Sequence, residues 1–182
     1  MAGLHACVCW VCRLILLSPA KMIIRPEPLT KDAFLPFGNV LETDGVNPEM
    51  INFGNTQKFG DLAEITLEDG GQAQLSIYRS HAIELPFRIL LMERHPLGSQ
   101  AFYPLHERPF PLIVALPGSF PGAEGIRVFL TNGRQGVNLH PGVWHHYQIT
   151  LGQDSDYIVF DRRGTGENYQ EHRLTEEVLL DI

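Results

Sequence analysis

"FRILLMERHPLGSQAFYPL", residues 87–105, decides how the chain folds. Two runs rich in aromatic and branched apolar side chains, 87–92 and 100–105, are separated by a short segment in which Pro96 and Gly98 break any regular element. Such runs, bounded by turn residues, are strands. Five more segments have the same character: "AQLSIY" (73–78), "PLIVAL" (111–116), "IRVFLT" (126–131), "HHYQIT" (145–150) and "DYIVFD" (156–161). Gly, Pro, Asn or Asp punctuates them, and no amphipathic helix lies between them. Many short strands without crossover helices predict a mainly β fold, an antiparallel jelly-roll or closed barrel, and argue against a parallel α/β sheet. Two short helices are expected at the margins. "PLTKDAFLPFG" offers Thr30 as an N-cap and stops at Pro36 and Gly38, and "LTEEVLLDI" has helical apolar spacing with acids in its first turn.

The 182 residues, 44% hydrophobic, suffice for one domain with a sizeable core. Fourteen basic against 21 acidic residues leave a formal charge of -7, without a basic block, which disfavours nucleic acid as a partner. Cys7, Cys9 and Cys12 all precede the strands, so the body has no disulfide framework and a reducing cytoplasm fits. Cys9 and Cys12 have C-x-x-C spacing but lack the second ligand pair of a zinc site. "ACVCWVCRLILL" has the apolar look of a secretory signal, yet no basic residue precedes it and Arg13 interrupts it. It is also too short to span a bilayer. Globular patterning begins at Met22, so residues 1–21 are expected to be an extension outside a single domain covering 22–182.

Two histidine-bearing stretches carry the candidate chemistry. Glu93 and His95 stand two apart at a strand end, so alternation sends both to one face, and Gln100 opens the next strand. In "NLHPGVWHH" (138–146), His140, His145 and His146 surround a Pro141–Gly142 turn. His145 and His146 must face opposite sides of a strand, so one of them points inward. A metal site, an acid/base site and a packed aromatic strand end all fit this pattern. Arg94 should face away from Glu93. Trp144 reads as core, Asn132, Gly133 and Gly136 as turn formers, and Asp161 with Arg162 as a structural ion pair outside the catalytic set.

Glu93-x-His95-x4-Gln100, followed by a Pro-Gly turn and His145, resembles the two motifs of the cupin superfamily. Glu93 stands where the first histidine of that pattern is usual, and Gln100 replaces its glutamate. "LMERHPLGSQAFYPL", "FLTNGRQGVNLHPGVWHHYQI", "YIVFDRRG" and "PLTKDAFLPFGNVLET" are similar to the hallmark segments of the ureidoglycolate lyase family, with Arg163 where a glycine is usual. This resemblance runs from Met22 to about the C-terminus. It implies a cupin-like double-stranded β-helix, a homodimer, and release of urea from (S)-ureidoglycolate to leave glyoxylate in allantoin breakdown. It further implies Glu93, His95, Gln100 and His145 around a divalent ion, with nickel the first choice. Without an ion, His95 or Glu93 would be the base.

Arg79 is assigned to the substrate carboxylate, since a guanidinium matches it two-pronged. Gln100 and His140 are further substrate contacts, and His140 or His146 is available to protonate the departing nitrogen. Rival readings are an amidohydrolase that releases ammonia, a non-catalytic cupin that binds a small carboxylate, and a metal-dependent sugar-modifying cupin.

Overall fold

The run Pro111–Ala115 is buried along its whole length, which a strand achieves only when both faces of its sheet are covered. In the computed structural model, which describes residues 21–182, that is the arrangement found. The chain begins with β1 (Met22–Ile24), β2 (Glu27–Pro28), the single-turn α1 (Lys31–Phe34) and β3 (Gly38–Leu41). A small hairpin follows, β4 (Glu49–Ile51) with β5 (Thr56–Lys58), and then the long β6 (Gln72–Ser80), β7 (Ala82–Ile83) and β8 (Phe87–Arg94). Next come β9 (Gln100–Pro104), β10 (Pro111–Ala115), β11 (Arg127–Leu130) and β12 (Gly136–Leu139). The chain closes through β13 (Trp144–His145), β14 (Thr150–Leu151), β15 (Ser155–Arg163) and β16 (Gln170–Leu180).

These strands build two large sheets. One has seven strands in the order β1-β16-β8-β13-β10-β11-β2, the other five in the order β3-β12-β9-β15-β6. Their inner faces meet in one core, to which β10 and β11 give Leu112, Val114 and Phe129 and the facing sheet gives Phe102, Val137, Tyr157 and Val159. Phe34, Phe37 and Phe129 pack with ring centroids 5.3–5.8 Å apart. Alternation sends Ile113 and Ala115 of β10 the other way, into a second cluster with Met92, Trp144 and Val178 on the outer face of the seven-stranded sheet. The two clusters explain the unbroken apolar run: each face of β10 has its own core. The result is the β-barrel that the strand spacing anticipates, of the cupin-like kind that the family resemblance implies.

The short helix forms as expected. Thr30 caps it, its Oγ1 accepting from Ala33 N at 3.2 Å. Gly133 sits at φ +92 in its turn, and a Cβ there would come within 2.5 Å of the Glu107 carbonyl oxygen.

Two expectations need correction. "LTEEVLLDI" is not a helix: its residues through Leu180 belong to β16. Arg173 pairs with Leu91 and Val178 with Ile89, so residues 174–177 bulge out of register. That bulge breaks the two-residue alternation and mimics helical spacing, while Val178 and Leu180 are buried as strand residues. "HHYQIT" is not one strand either. The chain leaves the large sheet at His145, and Thr150 pairs instead with Ala82 in a separate two-stranded ribbon. The cysteines, the signal-like segment and the proposed extension lie, apart from Lys21, outside the described residues.

Candidate active site

Glu93, near the end of β8, is paired in register with His145 of β13. The Pro141–Gly142 turn is fastened to this strand end, with Gly142 N donating to the His95 carbonyl at 2.9 Å. That backbone bond holds His95 and His145 together, their rings 5.3 Å apart. Glu93 Oε1 lies 3.9 Å from His145 Nδ1, and one donor atom from each of Glu93, His95 and His145 lies within 4.8 Å of the other two. Gln100, at the start of β9, is buried with its Oε1 unpartnered.

Backbone carbonyls fix the tautomers. His95 Nδ1 contacts the Asn168 carbonyl oxygen at 2.7 Å, and His145 Nδ1 contacts that of His146 at 3.1 Å. A carbonyl can only accept, so Nδ1 carries a proton in both rings, and in the neutral form of each the lone pair is on Nε2. Both Nε2 atoms are buried without a partner. Burial and the neighbouring His95 lower the His145 pKa to about 3, which keeps this ring neutral. Burial raises the Glu93 pKa, although His95 and the Tyr169 hydroxyl pull it back. Two oriented imidazoles, a carboxylate and an amide oxygen suit a divalent ion that accepts mixed nitrogen and oxygen donors. Glu93, His95 and His145, with Gln100 beside them, are the residues that would hold it.

Glu93, His95 and Gln100 border an open chamber of about 470 Å³, of a size for a small molecule. Tyr78, Phe102, Gln148, Asp161 and Tyr169 complete much of its wall. A second lobe of about 260 Å³ shares His95, Gln100, Asp161 and Tyr169. The Tyr169 hydroxyl donates to Glu171 Oε2 at 2.9 Å, and this bond, with nearby Glu93, raises its pKa to about 12.

Other assignments from the sequence fall differently. Arg79 borders the chamber, but its guanidinium forks onto Asp156 with two contacts of 2.8 Å, on the exposed side of β6 that also carries Leu75 and Ile77. Its side chain is therefore committed elsewhere, and the assignment to the substrate carboxylate is withdrawn. His140 is not part of the chamber wall; its backbone closes the turn to Val143. His146 turns away from His145, its ring 5.4 Å from that of Phe87, and burial lowers its pKa to about 4. Neither is placed to protonate a bound ligand. Trp144 is core, and Arg94 covers its ring at 4.5 Å.

Asp161 and Arg162 are not an ion pair, because alternation along β15 separates them. Asp161 faces the chamber. Arg162 borders only the smaller lobe, and its guanidinium donates to the carbonyls of Glu68, Asp69 and Thr165. Side chains on Gly71 and Gly98 would collide with it, at 2.3 and 2.6 Å. Arg162 thereby ties the loop before β6 to the loop that delivers Asn168 and Tyr169. Asp161 was legible in principle: Tyr157, Val159 and Asp161 share the buried face of "DYIVFD". Tyr169 and Asn168 gave no local signal, since a loop brings them to His95.

A β-barrel of cupin type with a carboxylate–imidazole cluster inside it is the class that fold and site define. The chain belongs to the ureidoglycolate lyase family, whose profile matches residues 21–181. A ureidoglycolate lyase of Pseudomonas syringae pv. syringae (strain B728a) is 50% identical over 161 residues, 88% of this chain and 94% of that protein. One from Pseudomonas fluorescens (strain SBW25) is 49% identical over 155 residues, covering 85% and 93%. Among the described residues no helix is long and apolar enough to cross a membrane.

Proposed function

We propose that this chain cleaves (S)-ureidoglycolate to glyoxylate and urea, a step of allantoin and purine breakdown. The observation that carries the reading is the convergence of Glu93, His95 and His145 within 4.8 Å in a chain belonging to this family. The reaction is an elimination. The hydroxyl gives up its proton, the oxygen forms the aldehyde C=O, the C–N bond breaks and the urea nitrogen takes a proton. No water is consumed.

The chain's own groups divide this work. Without an ion, Glu93, its carboxyl made more basic by burial, is the acceptor for the hydroxyl proton, and His95 Nε2, oriented by the Asn168 carbonyl, is the alternative acceptor. A divalent ion bound by Glu93, His95, Gln100 and His145, with nickel the first choice, would lower the hydroxyl pKa and offset the substrate's carboxylate charge. The need for such a charge is physical. Glu93 and Asp161 are acidic, Arg79 at the larger lobe is already paired, and Arg162 at the smaller lobe donates to three backbone carbonyls. The amidohydrolase and binding-module readings remain as outcomes of the test.

We place the protein in the cytoplasm, since its cysteines lie ahead of the barrel. We also take it to be a homodimer. β6 has a single neighbour in its sheet, and Ile77, Ile158 and Tyr103 line up in register across three strands on the exposed face. An apolar ladder beside an unpaired edge suits a second copy of the chain. Light scattering that gives a clean monomer at micromolar concentration would overturn this.

The deciding assay mixes purified protein, before and after chelation, with racemic ureidoglycolate and follows urea, glyoxylate and ammonia separately. Equimolar urea and glyoxylate, ending at half the racemate and lost on chelation, is the expected result. Ammonia without urea would make it an amidohydrolase. Products no faster than spontaneous decay would leave a binding protein.

A further inference from the structure

We infer that Asp161 is the group that recognises the ureido end of the substrate. The inference rests on the ureidoglycolate reading above and assigns a role to a residue outside the metal-binding cluster. A ureido group, N(H)–CO–NH2, presents one N–H from each nitrogen in the same direction, away from its carbonyl. A carboxylate offers two acceptor oxygens at a matching separation, so the two form a pair of parallel, charge-assisted hydrogen bonds.

Asp161 has that acceptor pair to spare. Its Oδ1 is buried without any partner, and its Oδ2 receives only the Tyr78 hydroxyl at 3.4 Å, near the outer limit of a hydrogen bond. Buried acceptors are rarely left unmatched, and those that are mark places where a ligand supplies the donor. Arg162, next in sequence, does not satisfy it: its guanidinium donates to three backbone carbonyls and not to Asp161.

Position supports the same role. Phe160 of β15 pairs with Ala101 of β9, so one step further along Asp161 stands beside Gln100, and both border the two lobes of the chamber. The negative charge also sorts the two ends of the substrate. Asp161 repels a carboxylate and attracts N–H groups, so the ureido end is the one it favours.

The test is calorimetric binding to the full chain as purified, with three ligands. Carbamoylglycine has the ureido group and carboxylate, N-acetylglycine replaces the terminal NH2 with a methyl, and glycolate lacks the ureido group. The wild type should bind carboxylate ligands with the order set by N–H count, carbamoylglycine ahead of N-acetylglycine by about tenfold or more. Asp161→Asn should erase that preference and leave glycolate binding within about twofold, since one acceptor has become a donor. Equal binding of carbamoylglycine and N-acetylglycine by the wild type overturns the proposal, whether or not the variant folds. A variant that folds, judged by its thermal melt, yet weakens all three ligands alike also overturns it. Urea release by the wild type is measured in parallel. Turnover without the N–H preference sinks Asp161 alone, and the preference without turnover sinks the lyase reading alone.

Discussion

The two halves of the barrel interior are finished to different standards. Around Phe34, Phe37 and Phe129 the rings meet edge to face, and Phe110 and Tyr157 continue the contact at 5.1 Å. Around Glu93 and His95 the same inward positions carry polar atoms, and His95 Nε2, His145 Nε2, Gln100 Oε1 and Asp161 Oδ1 have no partner in the protein. Burying such atoms unmatched costs stability that the aromatic half supplies. One half makes the fold, and the other uses it.

The largest expected break in this division comes from Glu93→Gln. The amide keeps the shape but loses the basic oxygen, so urea release should fall by roughly 10²- to 10⁴-fold while the thermal melt stays near that of the wild type. A melt that drops as far as activity would show Glu93 to be a structural residue.

Phe129→Ala attacks the other half. It removes a fully buried ring touching Phe34 and Phe37, and urea denaturation should show a loss of about 3–5 kcal/mol. The molecules still folded should keep their turnover per site. A proportional loss of kcat in folded protein would mean that the two halves are not separable.

The smallest effect is in acid. His146 is neutral when folded, with a pKa lowered to about 4, but takes a proton near its ordinary value when unfolded. The unfolded chain thus binds more protons over that interval, so stability is intact above about pH 6.5 and declines as pH falls toward 4. Denaturation of chelated protein at pH 7 and pH 5 should differ by on the order of 2 kcal/mol from this group, and less in His146→Gln. An unchanged difference in the variant would assign the acid sensitivity elsewhere.

The contrast between the halves also marks what the sequence could reveal. Apolar runs and turn residues sufficed for β6, β8, β9, β10, β11 and β15, and in β6 and β15, nine residues each, the two-residue alternation is visible as well. Strands of two to four residues, such as β2, β3 and β13, are too short for any period and exist through their neighbours. β16 was misread because its bulge falsifies the alternation. At the site, Glu93, His95 and His145 converge, with Gln100 nearby, as the motif resemblance implies. Arg79 failed as a carboxylate partner because its neighbour across the sheet, Asp156, is invisible in one dimension. His140 failed because its place in the turn depends on a backbone bond to Phe37.

The guanidinium of Arg162 has a kinetic consequence. It joins the loop at 68–69 to Thr165, while Glu68 N reaches the Leu97 carbonyl and Leu97 N reaches Asn168 Oδ1. No member of this circuit can exchange its amide hydrogen without disturbing the next, so the segments around residues 68, 97 and 168 open as one unit with one shared opening free energy. The wall of the chamber that holds Tyr169 and orients His95 is therefore timed by a buried cation that itself borders the smaller lobe.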